Sequence, residues 1–479
     1  MREQRQFRPL FYDLADEAGI GDLAAAWDAD ISASSLAAMR DWLRTQYPSL
    51  AALNAQWGKN FAAWDEVVPE LTDEAMRRTD GNYSAWADFK AWMDVAFARA
   101  VRTGTDAVHQ ADPDALAGLE GLQLPGWGGY DYSLLAGSAD VLEVYPTGHA
   151  LDMVRAFAPR TIPLRTSFGA GPYEWHAAWQ HLLHGGRGLI VWDEADNVVA
   201  ADGSPGLRGR DLAAMVAALR QVAPEVLASQ PEYDAVGVLI SQASFRTSWL
   251  LDHRLAGAAW SDRDAAREYE DNAWLASRRE ILERLAGIGV QPHLLSSAML
   301  EAGALGREGI RVLFLPHAIA LSAQEASEIA AFKAAGGTVL ADTEPGLFDQ
   351  HSRLLAAPLP AGVVTVPEAM QRTGVAPTPG TLEGIAALLR AAGIVPRAVF
   401  RSPVGAAAPG LDVRWLRQGE SELLAIQAVT PYAAPPEIDI ELAAPARVRD
   451  LRRGGEAVES TRFKVALDPF QPTILSLTR

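Results

Sequence analysis

The sequence of 479 residues predicts an α/β protein in three parts, and three observations carry that expectation. Over the first half, short apolar runs alternate with long amphipathic helices, the order that builds parallel sheets. Two continuous apolar runs follow, Val236-Gly-Val-Leu-Ile240 and Val312-Leu-Phe-Leu315, of the kind buried on both faces of a parallel sheet. The chain then turns β-rich, in alternating segments separated by turn residues.

Composition narrows the class. Apolar residues make up 49% and charged residues 21%, the balance of a folded chain. Lys and Arg number 42 against 60 Asp and Glu, a net charge of −18. Partners held by a basic face, such as nucleic acid or an anionic membrane, are therefore not expected. Cys is absent, which excludes disulfides, thiol catalysis, Cys-ligated zinc and iron–sulfur clusters. No run of about 18 apolar residues suggests a membrane-spanning helix, and the opening residues lack the apolar stretch of a signal peptide. A cytoplasmic location is the expectation, unless a missing N-terminal portion carries a signal.

In residues 1–228 the strand candidates are 9–15, 115–119, 140–145, 161–166 and 188–192. Between them run helices at 35–46 and 84–109. The second shows Trp86, Phe89, Trp92, Met93, Ala96, Phe97 and Ala100 at spacings of three and four, one apolar face. Such βα units are the material of a (β/α)8 barrel, but a closed barrel needs eight strands and about 250 residues. Only five are found, so this part reads as a partial barrel and the chain as the C-terminal portion of a longer protein. A linker near 228–233 leads into residues 232–402, a doubly wound parallel sheet. There the helix 323–335 ends at Gly336-Gly337, residues suited to a left-handed C-cap. After a Pro-, Gly- and Ala-rich passage, residues 410–479 read as a small β-sandwich, with strand candidates at 413–416, 422–428, 437–442 and 473–477.

Residues 40–69 read Arg-Asp-Trp-Leu-Arg-Thr-Gln-Tyr-Pro-Ser-Leu-Ala-Ala-Leu-Asn-Ala-Gln-Trp-Gly-Lys-Asn-Phe-Ala-Ala-Trp-Asp-Glu-Val-Val-Pro. This resembles the segment after the fourth barrel strand in glycoside hydrolase family 42, the β-galactosidases. A second block, Val236–Arg254 with Ser241-Gln and Asp252-His-Arg, resembles the start of that family's trimerisation domain. So do Leu315-Pro-His-Ala-Ile-Ala-Leu-Ser322, Gly336-Gly-Thr-Val-Leu-Ala-Asp342 and Pro345-Gly-Leu-Phe-Asp349. The resemblance implies a divergent barrel glycosidase containing strands four to eight, then an amidotransferase-like doubly wound domain and a small C-terminal β-domain. It further implies a homotrimer acting on β-galactosides or related β-glycosides, with a carbohydrate as its partner and no cofactor.

By the same resemblance, Asp16-Glu17 matches the family's Asn-Glu at the tip of strand four, where the Glu is the acid/base. A glycosidic oxygen leaves poorly until protonated, and a carboxylic acid can supply that proton. Asp16 replaces the Asn that binds the sugar 2-hydroxyl, so sugar selectivity can differ. The family's nucleophile is a Glu ending strand seven. Here that strand reads Ile162-Pro-Leu-Arg-Thr-Ser-Phe-Gly169, with Arg165, Thr166 or Ser167 at its place. Substitutes must come from other strand ends: Glu120, Glu143 or Asp193. Glu120 ranks first because flanking glycines allow a close approach.

Aromatic residues that could stack on sugar rings collect at the same rim: Trp127, Tyr130 beside Asp131, Tyr145 and Trp192, with Tyr173 and Trp175 further along. The glycine-rich loop Gly126-Trp-Gly-Gly-Tyr-Asp131 is the favoured platform. His176, His181 and His184 share one helix, but a surface or interface helix explains them better than a metal site. No Gly-x-Gly-x-x-Gly follows the first strand of the doubly wound part, so subunit contact suits it better than a nucleotide. The missing Glu and the incomplete barrel also leave room for a non-catalytic carbohydrate-binding or assembly protein.

Overall fold

The computed structural model describes residues 3–21, 24–194, 197–359, 370 and 378–479. Five strands, β1 (Tyr12–Asp16), β2 (Ala117–Leu122), β3 (Val141–Val144), β4 (Ile162–Ser167) and β5 (Gly188–Val191), form one parallel sheet in chain order. That order winds steadily in one direction, unlike a doubly wound sheet, whose order reverses. The sheet stays open, with β1 and β5 as its edges. The register shifts between Asp13 and Asp16 on β1, and between Leu119 and Leu122 on β2. These irregularities lie at the carboxyl end, where β-bulges re-aim side chains.

The helix Ser84–Ala111 organises the region between β1 and β2. Its turns bury Trp86, Phe97 and Val101 on one side, in a core shared with the sheet. They bury Phe89, Trp92 and Met93 on the other, against the helices Ala33–Gln46 and Leu50–Trp57. Ser32 and Ser49 cap those two helices, accepting the amides of Ser35 and Ala52. Asp88 on the long helix is 3% exposed and gathers three donors: the Trp57 indole at 2.7 Å, the Tyr47 phenol at 2.5 Å and His351 Nδ1 at 2.6 Å. His351 comes from the middle of the chain, so this polar knot joins distant segments.

The middle sheet is parallel, in the order Thr338–Ala341, Val312–Leu315, Val236–Ile240, His293–Ser296. One of its two cores continues that of the first sheet without a break. The joint is aromatic. Trp127 lies 4.9 Å from the Phe245 ring and 5.0 Å from Trp249, both on the helix Gln242–His253. Lys90 Nζ sits 5.3 Å from the Trp127 ring. Arg246 also reaches Asp94 of the long helix at 2.9 Å.

Two expectations change at the end of the chain. The tail is not two separate sheets but one antiparallel sheet of seven strands. Its longest strand, Glu437–Asp450, is long enough to be shared: its start pairs with Ala398–Arg401 and its end with Thr473–Thr478. The strand Gly454–Ala466, absent from the sequence reading, runs along most of its length. The linker near 228–233 also enters this sheet, Gln230–Pro231 forming an edge beside Leu411–Gln418. No helix among the described residues is long and apolar enough to cross a membrane.

Trp249 is 1% exposed, and its indole donates to Glu268 Oε1 at 2.8 Å. Trp249→Ala should therefore lower unfolding stability by ~3–5 kcal/mol in urea denaturation. A change below 1 kcal/mol would mean the aromatic joint contributes little.

Candidate active site

At the carboxyl end of β1 the chain bends sharply. Glu17 takes a left-handed backbone conformation, φ 48°, and its amide donates to the Glu120 carbonyl at 3.0 Å. Opposite lies Gly121, φ 67°. A Cβ there would come within 2.5 Å of Glu17 Cγ and 2.8 Å of its nitrogen. The glycine is thus required by the protein's own carboxylate, not by an approaching ligand.

Glu143 fixes this corner. It is 2% exposed, and its two oxygens accept the Gly121 and Thr166 amides, each at 2.7 Å. Burial pushes the Glu143 carboxyl up, while those amides and Arg165 oppose the shift. Tyr145, one strand end further, donates its phenol to Glu17 Oε1 at 2.6 Å. Burial pushes that phenol well up, with Glu17 adding to the effect, so it remains a donor. Glu120 is part-buried, and its carboxyl is pushed up by burial and then by the negative charges of Asp13, Asp16 and Glu143. Burial, with Asp16 beside it, likewise raises Asp13. Asp13 was not among the candidates. Its signal in the sequence is a carboxylate interrupting an otherwise apolar strand.

The fold therefore brings together Asp16, Glu17, Glu120, Glu143 and Tyr145. Asp193 stands apart in an exposed loop, where the amides of Val198 and Val199 hold it at 2.9 and 3.1 Å and lower its carboxyl. Trp192 is 51% exposed, its indole bonded to Glu194 Oε1 at 3.1 Å and its ring 6.4 Å from that of Phe168. It remains available for stacking. Trp127 does not: at 5% exposed it belongs to the aromatic joint, which corrects the reading of its loop as a platform. The loop's glycines let it dive inward instead, a Cβ at Gly129 falling 2.5 Å from Phe97 Cβ. Tyr130 is 1% exposed and its phenol is bonded to the Ala18 carbonyl, so it too is structural. Asp131 caps the short helix Tyr132–Leu135 through the Ser133 amide at 2.9 Å.

At the end of β4, Arg165 is ion-paired to Glu174 at 2.6 Å and Ser167 is fully buried. The three histidines of the following helix do not converge. His176 Nε2 meets the Ala428 carbonyl at 2.9 Å, burial pushes His181 down to about 3, and His184 lies between Asp152 and Asp412 at 3.0 and 2.6 Å. Two of them thus face the C-terminal sheet. Chemically, the corner offers one carboxylate oriented by a phenol and a second whose proton affinity is raised by burial and by its acidic neighbours.

Residues 22–150 match the family model described as beta-galactosidase, glycoside hydrolase family 42. The fold is similar to that of the beta-galactosidase from Bacillus circulans sp. alkalophilus, with a TM-score of 0.68 at 15% identity over 100% of this chain and 80% of that one. It is also similar to an exo-carrageenase of the same family from Bacteroides ovatus, TM-score 0.62 at 13% identity, covering 94% of this chain. The chain spans only 64% of the length of that enzyme. An alpha-L-fucosidase from Paenibacillus thiaminolyticus aligns as well, with a TM-score of 0.55 at 11% identity over 90% of this chain and 85% of that one. No curated protein sequence matches. The resemblance to glycoside hydrolase family 42 is thus shown by the stretch 22–150 and by solved members of that family with a like fold.

Two outcomes test the geometry of the corner. Glu143→Ala should leave two buried amides without acceptors and lower stability by ~2–4 kcal/mol in denaturant melts. Glu120 carries the opposite sign. Its folded carboxyl titrates above its unfolded value, so stability is lost as pH rises through the folded pKa. Glu120→Gln should then melt higher than the parent at pH 7, with the gain vanishing near pH 4. An equal gain at both pH values would contradict that origin.

Proposed function

We propose that the chain is a divergent glycoside hydrolase of the β-galactosidase type, acting on β-galactosides or related β-glycosides, with Glu17 as acid/base. The single observation that supports it most is the Glu17–Tyr145 hydrogen bond at the carboxyl end of a parallel sheet, where barrel enzymes assemble their reactive groups. With Tyr145 on Oε1, a proton carried on Oε2 is free to pass to a glycosidic oxygen. Glu120 is the preferred second carboxylate, because Glu143 has both oxygens committed to amides and Asp193 is bound within its own loop. Asp16 would bind a sugar hydroxyl and Trp192 would stack on the ring. In this reading β1–β5 correspond to strands four to eight of a barrel. Residues 1–228, 232–402 and 410–479 form the barrel part, the trimerisation-like domain and the C-terminal β-domain, and the assembly is a homotrimer.

One observation favours a second reading, a non-catalytic carbohydrate-binding or assembly protein. The end of β4 presents an ion-paired Arg165 and a buried Ser167, not a carboxylate.

The test is turnover of o-nitrophenyl β-galactoside and a panel of aryl β-glycosides. Glu17→Gln should reduce kcat by ~10²–10⁴-fold, whereas Tyr145→Phe should act more mildly and shift the pH profile. Unchanged turnover in Glu17→Gln would overturn the assignment. Saturable sugar binding in calorimetry without any turnover would establish the second reading.

A further inference from the structure

Among the helices that flank the first sheet lies a cavity of about 370 Å³. It is enclosed by the helices Ala150–Phe157, Pro172–Leu183 and Ala273–Gly287 and by the strand Leu411–Gln418, so all three sheets' elements meet around it. Its size falls within the ~300–1,000 Å³ of small-molecule sites. Its charge is the opposite of the protein's. Arg155, Arg187 and Arg279 all line it, and among the described residues none of the three makes an ion pair.

The acids on the same wall are mostly spent. Asp152 and Asp412 are already bound by Arg414 at 3.2 and 3.1 Å and by His184 at 3.0 and 2.6 Å. These contacts hold Asp152 and Asp412 well below the usual carboxylate range, against their burial, and keep His184 up at about 9. Glu283 is the remaining acid, and burial pushes its carboxyl up. Of the cations, Arg155 gives one guanidinium N–H to the Pro159 carbonyl at 3.2 Å, and Arg279 lies 5.9 Å from the Tyr269 ring and opposes the rise of Glu283. Arg155 Nε is buried with no hydrogen-bond acceptor among the described residues. Its guanidinium lies over Gly185, where a Cβ would come within 2.6 Å of Nε. Burial and then the charge of Arg155 push Arg187 down, as two like charges sharing one space must. His149 is held down at about 4 by burial, with Arg278 and Arg414 adding to it against Asp152.

We propose that this cavity binds a small phosphate monoester. Two guanidinium groups lining one cavity call for a dianion, and their planar forks fit phosphoryl oxygens with paired hydrogen bonds. Arg279 adds a third positive charge from the middle part of the chain. The opposite wall, with Leu124, Val144, Leu275 and Leu294, gives the ester's carbon skeleton an apolar seat. Such a ligand would clamp elements from three parts of the chain around one charge. The proposal is independent of the hydrolase reading and would stand if that reading failed.

The full chain is titrated by calorimetry with phenyl phosphate, inorganic phosphate, benzoate and benzyl alcohol. Phenyl phosphate should bind saturably, at least tenfold tighter than benzoate or inorganic phosphate, with no heat from benzyl alcohol. Arg155→Met and Arg187→Gln should each weaken phenyl phosphate at least tenfold, the second at a half-buried position that folding tolerates. Absence of phenyl phosphate binding at millimolar concentration would overturn the proposal. So would equal affinity for inorganic phosphate or benzoate, or undiminished binding by Arg187→Gln.

Discussion

The corner that carries the candidate site depends on one buried carboxylate. Glu143 commits both oxygens to backbone amides, one from β2 and one from β4, and so fixes three adjacent strands at the level where β1 ends. Burying a carboxylate is costly unless its lone pairs are used, and charge-assisted bonds to amides use them well. With the Gly121 amide turned toward Glu143, its backbone enters the left-handed region that only glycine occupies freely. The bare Cα then leaves the space that Glu17 fills. A carboxylate on β3 therefore sets the position of a carboxylate on β1.

The same sheet and its helices carry charges of both signs. At β4 the Arg165 side chain reaches Glu174 of the helix Pro172–Leu183, and the backbone amide of the next residue, Thr166, donates to Glu143. Within the sheet, burial and then the charges of Asp13, Asp16 and Glu143 raise the proton affinity of Glu120, and burial with Asp16 beside it raises that of Asp13. Among the flanking helices the signs reverse: burial and then Arg155 lower Arg187, and burial with Arg278 and Arg414 lowers His149. A net charge of −18 is thus not spread evenly over the molecule.

Much of this was legible in the sequence, for physical reasons. The runs Val236–Ile240 and Val312–Leu315 are strands with the boundaries expected, because full burial leaves continuous apolar sequence. The helix Ser84–Ala111 was legible, but the residues read as one apolar face divide between two cores, Trp86 and Phe97 packing with the sheet and Phe89, Trp92 and Met93 against the neighbouring helices. The strand Gly454–Ala466 was missed because its exposed, polar sequence has no apolar alternation to read. In the site, Glu17 and Tyr145 were placed at strand ends from local pattern. The roles of Glu143, Trp127 and Gly121 were not legible, since each depends on a partner from another element. Glycines around an aromatic residue read as an exposed loop; only the fold shows them permitting Trp127 to pack on Phe245 and Trp249.

The family model matches residues 22–150, whereas the fold is similar over at least nine-tenths of the chain at 11–15% identity. The packing accounts for that contrast. Parallel strands filled by apolar side chains accept many combinations of similar volume, so their sequences can drift while the sheet persists. Within 22–150, several side chains are instead held by chemistry that a change of residue would break. Trp57 and Tyr47 donate to the buried Asp88. Lys90 donates to the carbonyls of Ala26 and Trp27, each at 2.9 Å, and pairs with Asp28 at 2.8 Å. Asn82 both donates to the Gln56 carbonyl and accepts the Ser84 hydroxyl. Removing one member of such a buried set leaves the others unpaired. Within 22–150 the fold thus leans on specific polar contacts as well as on apolar packing.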